Sequence, residues 1–213
     1  MPLASTLVRL PDRSLLLYSP IAIDDALAAD IAALGEVANI VAPSLLHHLY
    51  VADAAVRWPR AILHGVPGLA QKRADVTVQR DLDRELDPAL RDTLAFEVIA
   101  GAPKLNEAVM FHRPSGTLAC ADFVFNVTQP ENLRTRMVLA MMGVGGRRLA
   151  QSRVWRFAIR DRAAARTSID RILRWPIARV APAHGEVQAI DAATLAGKLS
   201  RAYGGRVVPV LAA

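Results

Sequence analysis

Short apolar runs alternate with helix-patterned stretches along nearly the whole chain, and this order constrains the fold more than any other feature of the sequence. Elements of both kinds in alternation require sheets covered by helices, an α/β architecture. STLVRL and SLLLYSP flank a Pro11-Asp12-Arg13 turn and predict a hairpin-like opening. IDDALAADIAALG carries acidic residues in its first turn and Gly35 at its end, so it reads as a helix with matched termini. NIVAP is a short strand stopped by Pro43. LLHHLYVADAAVRW predicts a helix ending before Pro59, AILHG a strand and PGLAQKR a short helix. Residues 75–93 are charged and without strong period, and read as a long connection.

The second half continues the alternation. LAFEVIAG, EAVMFHR and TLACADFVFN predict a cluster of strands, with Pro114-Ser115-Gly116 as the turn between the last two. RMVLAMMGVGG predicts a helix up to its glycines, and VWRFAI a further strand. DRAAARTSIDRILRW predicts a helix whose Ala165, Ile169, Ile172 and Leu173 share one face. ARVAPAHGE is a strand leading into a loop, and DAATLAGKLSRAYGG a terminal helix closed by Gly204 and Gly205. No repeat or linker divides the chain, so residues 1–213 are expected to form one domain of two sheets with helices outside.

With 53% hydrophobic and 22% charged residues, the composition excludes a disordered chain. The single cysteine, Cys120, forbids an intramolecular disulfide and fits a reducing compartment. Arg9, Pro11, Asp12 and Arg13 interrupt the N-terminus before any long apolar run, so no signal peptide is expected. No stretch reaches the ~18–20 apolar residues of a membrane span, and the expectation is a cytoplasmic protein without membrane attachment. The net charge is +6. Arg147, Arg148, Arg153, Arg156, Arg160, Arg162 and Arg166 crowd one region. Few aromatics interleave with them, which argues against a nucleic-acid partner and for a solvated face.

The chemistry-bearing residues gather at strand ends. His47 and His48 follow the strand NIVAP, Asp122 closes TLACAD, and His184 follows ARVAP. Imidazoles with a carboxylate suit zinc, iron or manganese and leave room for a water. Glu186, two residues past His184, is available as a proton shuttle or as a partner for that histidine. His64 and His112 read as structural, and Cys120 as a small core residue. No nucleophile elbow, phosphate loop or dinucleotide fingerprint is present.

The stretches IVAPSLLHHLYVADAAVRWPRAILHG, FHRPSGTLACADFVFN and RILRWPIARVAPAHGE, in this order, resemble the metallo-β-lactamase superfamily, and within it a bacterial branch with a degenerate metal motif. The resemblance covers most of the chain and implies a four-layer αββα sandwich. The family's first signature is His-x-His-x-Asp-His. With its last pair on His47 and His48, Pro43 and Leu45 stand where the first two histidines belong. Ala102 replaces the next histidine, whereas Asp122 and His184 match the bridging aspartate and the last histidine. The three missing histidines form one metal site of a two-metal member. The positions kept correspond to the other, which implies a mononuclear site of His47, His48, Asp122 and His184.

The resemblance implies a metal-dependent hydrolase holding one divalent metal, zinc first and iron or manganese as alternatives. It would direct water at an ester, thioester, amide or phosphodiester, with Asp122 and Glu186 as the catalytic carboxylates. The expected partner is a small molecule, and the arginines are compatible with an anionic one. The alternative is a non-catalytic, ligand-binding descendant of the same fold, which the loss of three signature histidines favours.

Overall fold

The computed structural model describes residues 3–84, 86–146 and 149–199. The first sheet runs in the order β1 (Thr6–Arg9), β2 (Leu15–Tyr18), β3 (Val37–Ala42), β4 (Ile62–Gly65) and β5 (Arg80–Asp81). The opening hairpin is antiparallel, with Thr6 opposite Tyr18, and β2 through β5 are parallel. All four residues of β2 are buried, as befits an apolar strand covered on both faces. Helices α1 (Asp25–Leu34), α2 (Val51–Arg57), α3 (Leu69–Lys72) and α4 (Pro88–Arg91) connect these strands and lead into the second sheet. Ile31, Val51, Ala54, Leu69 and Leu90 belong to the same apolar cluster as the strands.

The second sheet has the order β10 (Gln188–Ala189), β9 (Arg179–Pro182), β8 (Thr117–Cys120), β7 (Ala108–His112) and β6 (Leu94–Val98). Only its β8–β9 pair is parallel. Strand periodicity divides β7 and β8 between two cores. Ala108, Met110 and Ala119 pack with the first sheet. Val109, Phe111, Leu118 and Cys120 pack with Ala165, Ile169 and Ile172 of α7 (Arg162–Ile172) and with Leu195, Ala196 and Leu199 of α8 (Ala192–Leu199). Two mixed sheets thus lie between outer helices, the αββα arrangement.

Three elements differ from the sequence reading. Residues 153–158 form a helix, α6, following α5 (Leu133–Met142), where a strand was expected. Ser152 Oγ accepts from the Trp155 amide at 3.1 Å and caps it, and only Trp155 of this helix is buried, while Phe157 is 81% exposed. The helix expected from Leu45 starts at Val51, because the residues before it follow a separate hydrogen-bonded course. The connection 75–93 contains β5 and α4, and its Leu82 and Leu90 are buried. The predicted closing glycines, Gly204 and Gly205, lie outside the described residues, as do Arg147 and Arg148. No helix among the described residues is long and apolar enough to cross a membrane.

Candidate metal centre

Three strand ends converge on one point. Beyond β3, Ser44 Oγ accepts from the amides of Leu46 and His47 at 3.2 and 2.9 Å, a side-chain turn that stops the chain from extending as helix. This turn brings His47 Nδ1 to 2.9 Å from Ser19 Oγ, just past β2. Beyond β8 comes Asp122. Beyond β9 comes His184, whose carbonyl accepts from the Asn126 amide at 2.9 Å. The His184 ring stacks on Phe125 with centroids 4.8 Å apart and planes at 5°. Gly185 follows with φ +112°, where a Cβ would lie 2.2 Å from the Asn126 carbonyl oxygen, so the turn after His184 requires glycine.

The two imidazole nitrogens face each other, and each faces its own oxygen of the Asp122 carboxylate. His47 Nε2 and His184 Nε2 are 3.2 Å apart, His47 Nε2 is 3.3 Å from Asp122 Oδ2, and His184 Nε2 is 3.3 Å from Asp122 Oδ1. The side chains are 9%, 8% and 15% exposed for His47, His184 and Asp122. Burial alone would raise the Asp122 carboxyl, but hydrogen bonds and charge from His184 and His47 outweigh it and hold it well below the usual carboxylate range. His47 Nδ1 is held by Ser19 Oγ, and its Nε2 faces the other two side chains. Two ring nitrogens and a carboxylate at these distances can share hydrogen bonds or hold a cation. One ligand atom from each of the three residues lies within 4.8 Å of the others, a spacing that a single metal ion could bridge.

Of the four residues expected as ligands, His47, Asp122 and His184 come together. His48 does not join them, because neighbouring loop residues point apart and Arg73 claims it. Arg73 Nη1 lies 3.2 Å from His48 Nδ1 and also donates to the His48 carbonyl. Burial, then the charges of Lys72 and Arg73, keep the His48 imidazole below its ordinary pKa. Glu186 is exposed and accepts from Thr128 Oγ1 at 2.7 Å on both carboxylate oxygens. His64 Nε2 bonds Asn39 Oδ1 at 2.8 Å and His112 Nδ1 bonds Ser115 Oγ at 2.7 Å, both away from the centre. Cys120 is buried, and burial pushes its thiol up.

Sequence reasoning passed over Ser19, Ser44, Phe125 and Glu107. Glu107 is fully buried and accepts from the amides of Ala121 and Phe123 and from the Trp155 indole. Its signal was a lone acid at the threshold of an apolar strand, a position where an acid needs buried partners.

The fold has counterparts among solved structures. The metallo-β-lactamase DIM-1 matches with a TM-score of 0.60 over 94% of this chain and 84% of its own, at 11% identity. The protein has the metallo-β-lactamase fold. A metallo-β-lactamase from Pontibacter korlensis matches at 0.57 over 87% of this chain and 80% of its own, with 14% identity. The chemotaxis sensor ODP, in a peroxy diiron species, shares the fold at 0.62 over 96% of this chain and 88% of its own, with 12% identity. No protein-family model matches the sequence, and comparison with curated proteins finds no relative. Because this fold hosts both lactamases and a diiron sensor, activity has to be argued from the site.

Proposed function

We propose that this metallo-β-lactamase-fold chain holds one divalent metal ion between His47, Asp122 and His184 and is a metal-dependent hydrolase of a small-molecule substrate. The observation that supports it is the largely buried cluster of two imidazole nitrogens and one carboxylate, with contacts of 3.2–3.3 Å. A divalent ion there supplies Lewis-acid activation of water near neutral pH. The donor set suits zinc, with iron or manganese compatible.

The chain's own groups do the positioning. Ser19 fixes the His47 ring through Nδ1, and Phe125 fixes the His184 plane by stacking. Asp122, held as an anion, contributes the one negative charge of the triad and faces His47 with Oδ2 and His184 with Oδ1. Three protein ligands leave a coordination position for water or substrate, as catalytic sites require. Esters, thioesters, amides and phosphodiesters are the electrophiles such a site addresses.

A ligand-binding role without turnover is the second reading. It is favoured by the positions where the resemblance places a second ion: Pro43 and Ala102 are buried, and neither they nor Leu45 offers a ligand.

The test is metal content after purification without chelator, in the parent and in a His47→Ala, His184→Ala double variant, followed by a screen of the four electrophile classes. About one equivalent in the parent and none in the variant is the expected result. Absence of metal in the parent refutes the proposal. Metal without turnover on any class leaves the binding role.

A further inference from the structure

Glu107 is the one acidic side chain fully withdrawn from solvent among the described residues, with 0% exposure. Its Oε1 accepts from the backbone amides of Ala121 and Phe123, each at 2.9 Å, and its Oε2 from Trp155 Nε1 at 2.8 Å. The first two donors are the amides on either side of Asp122. One oxygen therefore clamps the peptide units flanking the carboxylate that faces both histidines. Placing an acid in an apolar interior is costly unless its acceptors are filled, and here three N–H groups fill them. An apolar side chain of similar volume would leave the two backbone amides and the Trp155 indole N–H buried without this acceptor. The arrangement makes sense if a backbone segment must be held to a few tenths of an ångström.

We propose that Glu107 is a positioning residue of the metal centre, whose buried carboxylate locks the backbone around Asp122 and thereby sets the affinity of the site for its ion. Trp155 extends this lock to α6, so the helix and the metal centre are joined through one side chain. The proposal rests on His47, Asp122 and His184 holding an ion. Partners that orient a ligand without touching the metal change affinity by about 10–100-fold when removed.

The experiment compares the parent with Glu107→Gln, which keeps an acceptor for both amides, and Glu107→Met, which keeps the volume and offers none. Zinc affinity is read by competition with a chromophoric chelator, and ligand geometry from the visible bands of the cobalt(II)-loaded protein. Glu107→Met is expected to bind zinc about 10–100-fold more weakly with altered cobalt bands, and Glu107→Gln to recover most of the affinity. A Met variant with parental affinity and parental bands overturns the proposal, even if its melting temperature has dropped. If the Met variant does not fold, amide hydrogen exchange in the parent decides. Saturating zinc is expected to slow exchange at Ala121 and Phe123, because coupling between ion and clamp is reciprocal; unchanged exchange at both overturns it. A parent that binds no zinc refutes the metal reading and this proposal together, whereas the other adverse results refute only the role of Glu107.

Discussion

Substituting Gly185 by alanine tests whether the loop after His184 is as tightly determined as the geometry indicates. At φ +112° an L-residue is strained by about 1–3 kcal/mol before any contact is considered. The new Cβ would also lie 2.2 and 2.3 Å from the carbonyl oxygen and carbon of Asn126 and 2.7 Å from the Val127 nitrogen. All three are backbone atoms, so no side chain can swing aside. The loops must part, and the first bond lost is Asn126 N–H to the His184 carbonyl, worth about 0.5–1.5 kcal/mol net. The sum is roughly 2–4 kcal/mol, which for a chain of this size lowers Tm by roughly 5–15 °C. Because the movement displaces His184 Nε2 from its partners, zinc affinity should fall by more than about tenfold. The control is Gly146→Ala, at φ +66° with nothing within 4 Å of its Cβ, which carries only the backbone term of about 1 kcal/mol. Thermal melts followed by circular dichroism and chelator competition read both quantities. A Gly185→Ala protein that melts within about 2 °C of the control and binds zinc like the parent would refute the reasoning.

Two further outcomes separate neighbouring readings. His48→Ala should leave zinc affinity within about threefold of the parent while His47→Ala removes more than about 100-fold; equal losses in both would restore His48 to the ligand set. His64, buried between Asn39 and the charge of Arg80, has its pKa lowered from 6.5 to about 4, by burial first and then by Arg80. Its neutral form is the folded one, so stability is complete above pH 6.5 and is lost as the unfolded state takes up the proton between 6.5 and about 4, up to about 3 kcal/mol. Urea unfolding at pH 7 and 4.5 should show this acid loss reduced in His64→Gln, whose amide still donates to Asn39; parallel pH dependence in the two proteins would rule it out.

The layered architecture was legible because it rests on local signals. Alternating strand and helix periods, Gly35 after α1 and the apolar face of α7 at Ala165, Ile169 and Ile172 all appear where the residues place them. His47, Asp122 and His184 were legible as strand-end residues of metal-binding type. The order of the two histidines was not, since which one turns inward depends on Ser44, Ser19 and Arg73, the last 25 residues away from His48. The strand expected over 154–159 failed for a similar reason. Its bulky residues alternate, but the Ser152 cap and the distant Glu107 acceptor for Trp155 favour a helix with one buried face. Glu107 itself could not be read as functional, because its three donors come from segments 14, 16 and 48 residues away.

The positions that carry no ligand have acquired another task. The Pro43 carbonyl accepts from the Ala108 amide at 2.7 Å, and the Leu45 amide donates to the Leu105 carbonyl at 2.8 Å. The Ala102 carbonyl takes the amides of Leu105 and Asn106, each at 2.9 Å. The first two bonds stitch the segment after β3, in the first sheet, to the turn entering β7, in the second, and the Ala102 bonds close that turn on itself. His47 arrives from the first sheet, and Asp122 and His184 from the second, so the cluster of donors also spans that junction. This chain joins its sheets through backbone hydrogen bonds at one place and brings His47, Asp122 and His184 together at the other. On the proposed reading a single ion would complete the junction, and Glu107 would brace it by accepting from the amides on either side of Asp122.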